Sequence, residues 1–330
     1  TRLKEERWIG VYSKLVASRS TNPDILNHSS SGGSATSLLG TAMKHLNLDY
    51  VIVAGRDTDE PWKGSPYACK TESELLNFAQ STYQLFPYLW IIKDLLKENP
   101  EYKIGLVGLA CHIQAIRKLQ RLDNYWGNLV RSQVQFTLEI ACSSNTLCSG
   151  TETLITEVLG VDLSEVKDVK YRHGDHPGNF AVFTKSGEVV STPFWNEVEH
   201  FKNHKCHRCL TCGDWMSGLA DLSLCDGDPN IFKSSKHPTD DTQRVKFGLI
   251  FVRTALGEHI VDLAAKDGSI EIWEATEFDQ TQNLGLQRKL NRRAEWEQSN
   301  VTLLPLGPID NYREDWNATT DDEVISNLSD

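Results

Sequence analysis

Cys206-His-Arg-Cys209-Leu-Thr-Cys212 is the densest group of reactive side chains in the sequence. Three thiols spaced C-x2-C-x2-C on one short loop can hold three corners of an iron-sulfur cube, with a fourth thiolate supplied from elsewhere in the chain. Cys111, Cys142 and Cys225 are the candidates for that corner. The same loop also suits a tetrahedral zinc ion, with His204 and His207 as nitrogen donors. Zinc sites more often pair two separated C-x2-C units, so iron-sulfur chemistry is the favoured reading. Cys69 and Cys148 have no comparable spacing and read as buried free thiols.

A cysteine becomes a ligand only if an element carries it to the right place. Residues 48–54, 104–109 and 133–142 are apolar, β-rich runs, and residues 35–46, 88–99 and 113–120 have helical periodicity. Continuous apolar strands separated by helices predict an α/β fold with a mostly parallel sheet covered by helices. In such a sheet the loops beyond the carboxyl ends of the strands gather in one place. Cys111 follows one predicted strand and Cys142 ends another, so the fold would bring them together. Beyond residue 165 the texture changes to short alternating runs at 166–171, 179–185 and 188–193, the last two joined by Ser186-Gly187 as a hairpin. A further strand is predicted at 246–254 and a short helix at 257–266. The expected division is an α/β lobe over 1–160, an α+β lobe with the antiparallel hairpin and the cysteine loop over 161–285, and a peripheral helix with an acidic tail over 286–330.

Ser29-Ser-Ser-Gly-Gly33 runs directly into the helix predicted at 35–46. Backbone amides of such a turn at a helix start can bind a pyrophosphate or a flavin edge, although serine and glycine before a helix more often form only a cap. The turn matches neither a Walker loop nor the G-x-G-x-x-G fingerprint.

The 330 residues are 39% hydrophobic and 24% charged, enough for a sizeable core. A formal charge of -11 would repel a phosphate backbone, so nucleic acid is not expected as a partner. No run of eighteen apolar residues and no signal peptide is found, and a cytoplasmic protein without a membrane span is expected. Eight cysteines then point to metal or redox chemistry rather than to disulfides.

Taken together, Ser29-Ser-Ser-Gly-Gly33, Ser81-Thr-Tyr83 with Pro87, Gly108-Leu-Ala-Cys111-His-Ile-Gln114 with Arg117, Cys142, and Cys209-x2-Cys212-Gly-Asp214-Trp215 with Asp221-Leu-Ser223 resemble the coenzyme F-420 hydrogenase/dehydrogenase β subunit family over about residues 8–270. The family also includes tetrapyrrole reductases. The resemblance implies FAD and at least one 4Fe-4S cluster, with a second cluster allowed by the cysteine count. It implies cluster ligands at Cys111, Cys142, Cys209 and Cys212, and a flavin site lined by Ser31, Gly32, Gly33, Ser81, Tyr83 and Gly108. Ala110, His112 and Trp215 depart from the usual pattern, and Cys206 and Cys225 are additional, so either could replace a ligand.

The implied activity is an oxidoreductase that passes electrons between the cluster and a bulky conjugated substrate, the deazaflavin coenzyme F-420 or a tetrapyrrole, through the flavin. His112, beside a ligand and at a helix start, is the candidate proton donor, with a capping role as the plainer alternative. The implied partners are a redox protein, either ferredoxin or a hydrogenase- or dehydrogenase-type subunit, and a homo-oligomer is also consistent. The competing reading is a cluster- or zinc-bearing electron-transfer or scaffold subunit without flavin chemistry of its own.

Overall fold

The computed structural model describes residues 9–175, 177–227, 246–275, 289 and 291. The first half runs β1 (Lys14–Ser20), α1 (Pro23–His28), α2 (Ser34–His45), β2 (Tyr50–Arg56), β3 (Gly64–Cys69), α3 (Glu72–Asn77), α4 (Trp90–Glu98), β4 (Ile104–Leu109), α5 (Ala110–Gln120), α6 (Tyr125–Gln133) and β5 (Val134–Ile140). Then follow α7 (Cys148–Thr153), β6 (Val166–His173), β7 (Asn179–Thr184), β8 (Val189–Pro193), α8 (Phe194–Phe201), α9 (His207–Thr211), β9 (Leu222–Gly227), β10 (Phe247–Val252), α10 (Ala255–Lys266) and β11 (Ile270–Glu274).

Eight strands form one sheet in the order β11-β1-β10-β9-β5-β4-β2-β3. Its centre is parallel, with β2 beside β4, β4 beside β5 and β5 beside β9, while both flanks are antiparallel. The centre is buried on both faces, as the continuous apolar sequence of β4 requires. Leu38, Leu39 and Ala42 of α2 and Ile260, Val261 and Ala264 of α10 pack on Val51, Phe136, Leu138 and Leu222. On the other face Ile92 and Leu96 of α4 and Ile113 and Ile116 of α5 pack on Ile52, Ile104 and Leu106. This is the α/β class expected, with the parallel strands at the middle of a mixed sheet.

The hairpin β7–β8 joins β6 in a separate three-stranded antiparallel sheet. Tyr171, Phe180, Val182 and Phe201 form its own core, against which Trp62 and Tyr83 of the first lobe pack. Residues 161–285 do not all belong to this second lobe. Strands β9, β10 and β11 return to the large sheet, because their apolar edges complete its hydrogen-bond ladders, so the small sheet is an insertion between β5 and β9. Apart from Lys289 and Asn291, the expected peripheral helix and acidic tail lie outside the described residues. No helix among the described residues is long and apolar enough to cross a membrane.

Candidate functional site

The register of the parallel centre places two cysteines side by side. Leu109 of β4 is paired with Ile140 of β5, and Cys111 and Cys142 each follow two residues later. They therefore emerge at the same edge of adjacent strands. The strand β4 passes into α5 without an intervening turn, so Gly108, expected in a glycine turn, lies within the strand opposite Glu139. A Cβ at Gly108 would stand 3.0 Å from His112 Cβ.

The cysteine loop is brought to this edge by a three-segment bridge. Thr146 pairs with Gln84 on one side and with Lys205 on the other. Leu85 N–H donates to Thr146 O at 2.8 Å and Leu147 N–H to His204 O at 2.9 Å. Tyr83, Cys142 and Cys206 consequently belong to three neighbouring segments of backbone. Cys209 N–H then closes a turn on Cys206 O at 2.9 Å.

Cys111 is perturbed by the charges of Cys142, Cys209 and Cys212, Cys142 by those of Cys209 and Cys212, and Cys209 by those of Cys206 and Cys212, so these thiols lie near one another. Burial pushes Cys111 up to about 12 and Cys142 to about 11, and it raises Cys209 as well. Cys111 is nevertheless accessible to solvent, which describes a thiol at the floor of a recess. Cys206 also acts on Cys209, from the start of the short turn that carries it. Cys225 stands apart in β9, paired with Leu249 and packed in the core with Trp215, Met216 and Phe247. Cys69 is buried in the core, also as an isolated thiol. Among the described residues, no three His, Cys, Asp or Glu side chains converge on a single point fit for one ion. The side chain of His207 lies outside the described residues.

Sequence reasoning did not anticipate Lys289, which is 1% exposed. Its charge lowers Cys111, Cys142 and Cys209, so an ammonium lies against the thiol recess. Isolated charge is costly to bury, and thiolates are the natural counter-charge.

The polar residues around the cysteines hold their segments in place. Gln114 Nε2 donates to Asp214 Oδ2 at 3.2 Å and Arg117 Nε to Leu219 O at 2.9 Å. Asp221 Oδ2 accepts from both Thr137 N (2.9 Å) and Thr137 Oγ1 (2.7 Å). The fully buried Glu139 accepts from Ser217 N at 2.5 Å and Ser223 Oγ at 2.7 Å. Arg253 joins the same network, donating to Ser223 Oγ at 2.6 Å and to Ile9 O at 2.7 Å. The loop that follows Cys212 is thus clamped to β5 and to α5, the helix that carries Cys111.

The Ser29–Gly33 turn and the Ser81–Tyr83 segment also meet. Ser81 N–H donates to Ser30 Oγ at 3.1 Å, and Gln80 Nε2 to His28 O at 3.0 Å. Lys246, half-buried, donates from Nζ to Ser29 O at 3.0 Å. Ser31 is half-buried, and its carbonyl accepts from Ser29 Oγ at 2.6 Å. Gly33 takes the left-handed conformation with φ +72 and starts α2 without a side-chain cap. A Cβ at Gly32 would lie 2.7 Å from Phe247 Cα, so only glycine lets the turn rest on β10. The first amides of α2, a lysine and several serines converge there, a setting suited to an anion.

Tyr83 packs edge-on against Tyr171 at 5.4 Å and hydrogen-bonds to Ser81 and to the buried Arg172, which is also paired with Asp226. Around this seam Arg56 Nη1, Trp62 Nε1, Gln80 Oε1, Thr82 Oγ1 and both oxygens of Glu197 are buried and have no hydrogen-bond partner among the described residues. His112 sits differently from the expected acid. Its Nδ1 accepts from Leu109 N–H at 3.3 Å, its ring stacks on Tyr88 at 4.7 Å, and burial lowers it to about 4, leaving a neutral imidazole that caps the start of α5.

Models of two family segments match the chain: the N-terminal part of the coenzyme F420 hydrogenase/dehydrogenase beta subunit over residues 15–93, and its C-terminal part over residues 101–277. The chain belongs to the coenzyme F420 hydrogenase/dehydrogenase beta subunit family. Among members of this family, it is similar to the coenzyme F420 hydrogenase subunit beta of Methanosarcina barkeri, 29% identical over 268 residues that cover 81% of this chain and 84% of that protein. The subunit of the same name from Methanococcus voltae is 28% identical over 304 residues, covering 90% and 98%. The fold is similar to that of a chain in the F420-reducing [NiFe] hydrogenase complex of Methanosarcina barkeri. There the TM-score is 0.69 at 25% identity, with 88% of this chain and 93% of that chain covered.

Proposed function

We propose that this β-subunit family member is a redox subunit that holds one 4Fe-4S cluster on Cys111, Cys142, Cys209 and Cys212 and FAD beside it, and passes electrons to or from a conjugated two-electron substrate such as a deazaflavin. The observation that carries the reading is the junction of the two half-sites by the Gln84–Thr146–Lys205 bridge, which sets the Tyr83 segment beside the thiol recess. When bound, such a pair converts single electrons into two-electron equivalents.

The residues fit both groups. Four neighbouring thiols from three segments supply the all-thiolate donor set that a cube takes. The buried Lys289 offsets the negative charge that four thiolates concentrate there. On the other side, the Ser29–Gly33 turn, the N-terminal amides of α2 and Lys246 offer donors and charge for a pyrophosphate. The buried polar atoms of Arg56, Trp62, Gln80 and Thr82, unpartnered among the described residues, offer hydrogen bonds to a polar ring system or its chain. Gly108 sets the end of β4 at which Cys111 and His112 emerge, and His112 keeps its N–H at Nε2. The hydrogenase-complex neighbour favours a hydrogenase-type partner subunit as the source or destination of the electrons.

The test is an anaerobic preparation in which iron, acid-labile sulfide and released flavin are counted in one sample. About four irons, four sulfides and one FAD per chain support the reading. Zinc without flavin would replace it with a scaffold subunit.

A further inference from the structure

Glu197 is the buried ionisable group that the reading above leaves without work. It lies in the first turn of α8, one helical turn before Phe201 and on the same inward face. It is 0% exposed, and neither carboxyl oxygen has a hydrogen-bond partner among the described residues. The groups that face it come from other elements: Tyr171 and Arg172 on β6, Tyr83 after α3, and Lys205 before the cysteine loop. Behind them stand Asp226, paired with Arg172, and Arg56, whose Nη1 is itself unpartnered among the described residues. A carboxylate with both oxygens unsolvated and unbonded would be costly to bury. A neutral carboxyl group is not, and burial accordingly holds Glu197 well above the ordinary carboxyl range.

We propose that Glu197 is a positioning residue that stores a proton for the redox site, held on the carboxyl group in the resting protein and released towards Tyr83 when electrons arrive at the seam. The inference rests on the proposed function. Reduction of a two-electron acceptor by electrons taken from the iron-sulfur group adds negative charge where water is excluded. The acceptor would take up two electrons, supplied one at a time by the iron-sulfur group that is thereby oxidised, and one proton: the O–H bond of Glu197 would break, the proton would pass by way of the Tyr83 hydroxyl to the acceptor, and the carboxylate left behind would be met by Arg172 and Lys205. When the acceptor is reoxidised it gives its proton up, and the carboxylate of Glu197 takes one up again. Both cationic partners are already in place, so the ionised form is tolerated for the duration of the step. General acid assistance of this kind is worth about a hundredfold or more in rate.

The experiment is infrared difference spectroscopy on the whole protein with its cofactors, comparing wild type with Glu197→Gln. Wild type should show the carbonyl stretch of a protonated carboxylic acid at neutral pH, weakened when dithionite reduces the protein, and Glu197→Gln should lack it. In the same variant, bleaching of the bound flavin by the reduced cluster should slow about a hundredfold with flavin and iron content unchanged. If Glu197→Gln does not fold, wild type grown on 13C-labelled glutamate should show that band displaced. A band that persists in Glu197→Gln, fails to move on labelling, or keeps its intensity on reduction overturns the proposal. Absence of flavin would instead sink the cofactor reading on which the proposal rests, while a flavin-containing sample whose band ignores reduction would overturn the role of Glu197 alone.

Discussion

Gln114, three residues past Cys111, donates from Nε2 to Oδ2 of Asp214, two residues past Cys212, across 3.2 Å. The bond ties two cysteine-bearing segments that lie 100 residues apart in the chain. Gln114→Met keeps the side-chain length and removes the donor. Hydrogen bonds to charged groups contribute about 1.5–3 kcal/mol, so the unfolding free energy should fall by that amount in a urea titration. Iron retained per chain after gel filtration should fall in parallel, because metal-site affinity depends on the residues that orient the ligands. Unchanged stability with unchanged iron would show that the two segments are held elsewhere.

Cys206 precedes the short helix α9 that carries Cys209, and it is additional to the four thiols that the family pattern implies as ligands. Cys206→Ala should therefore retain about four irons and the visible charge-transfer absorption. Alanine at Cys111, Cys142, Cys209 or Cys212 should abolish both. Equal loss at Cys206 and Cys209 would show that Cys206 is a ligand.

Glu139 is fully buried and accepts from Ser217 N, Gly218 N and Ser223 Oγ. Glu139→Gln replaces an acceptor by a donor facing those donors, and the cost of such a mismatch is on the order of 3 kcal/mol. Thermal unfolding should shift down by several degrees more than for Gln114→Met. Equal midpoints for the two variants would contradict this.

The central strands and their helices were legible because their apolar runs and 3.6-residue periods are strong, and the ends of β4 and β5 follow from them. The adjacency of Cys111 and Cys142 followed in turn from parallel pairing. What periodicity could not show was that β9, β10 and β11 return to the first sheet, since strand partners far apart in sequence leave no local pattern. Gly108 was misleading for a physical reason: a glycine before a helix suggests a turn, yet here its missing side chain makes room for His112. Glu139, Arg253, Lys289 and Glu197 were missed because a single charged residue inside an apolar or amphipathic segment carries no signal until its burial and its partners are known.

Gly32 rests on the backbone of Phe247 and Gly248, with an added Cβ 2.7 to 2.8 Å from their atoms. Gly32→Ala must displace the turn or the strand, at about 1–3 kcal/mol. Lys246→Met leaves the backbone alone and removes the contact to Ser29 O together with the positive charge. Both variants should lower flavin content per chain, with iron content preserved. Loss of iron at the same rate as flavin would show that the two half-sites do not bind independently.

Glu197 also predicts how stability depends on pH, apart from any cofactor. Its carboxyl group titrates well above the ordinary value of 4.5 in the folded chain, chiefly through burial. Above that value the unfolded chain has released the proton and the folded chain still holds it, so the stabilisation is complete below about 4.5 and is lost as pH rises through the folded value. Glutamine at this position neither binds nor releases a proton. The unfolding free energy of Glu197→Gln relative to wild type should therefore rise with pH from about 5 upward, by at most about 1.4 kcal/mol per pH unit, and level off once the folded value is passed. Urea midpoints of cofactor-free protein across that window measure the difference directly. A constant gap would mean that Glu197 is ionised in the folded chain, and the stored proton would have to be sought on another group at the seam.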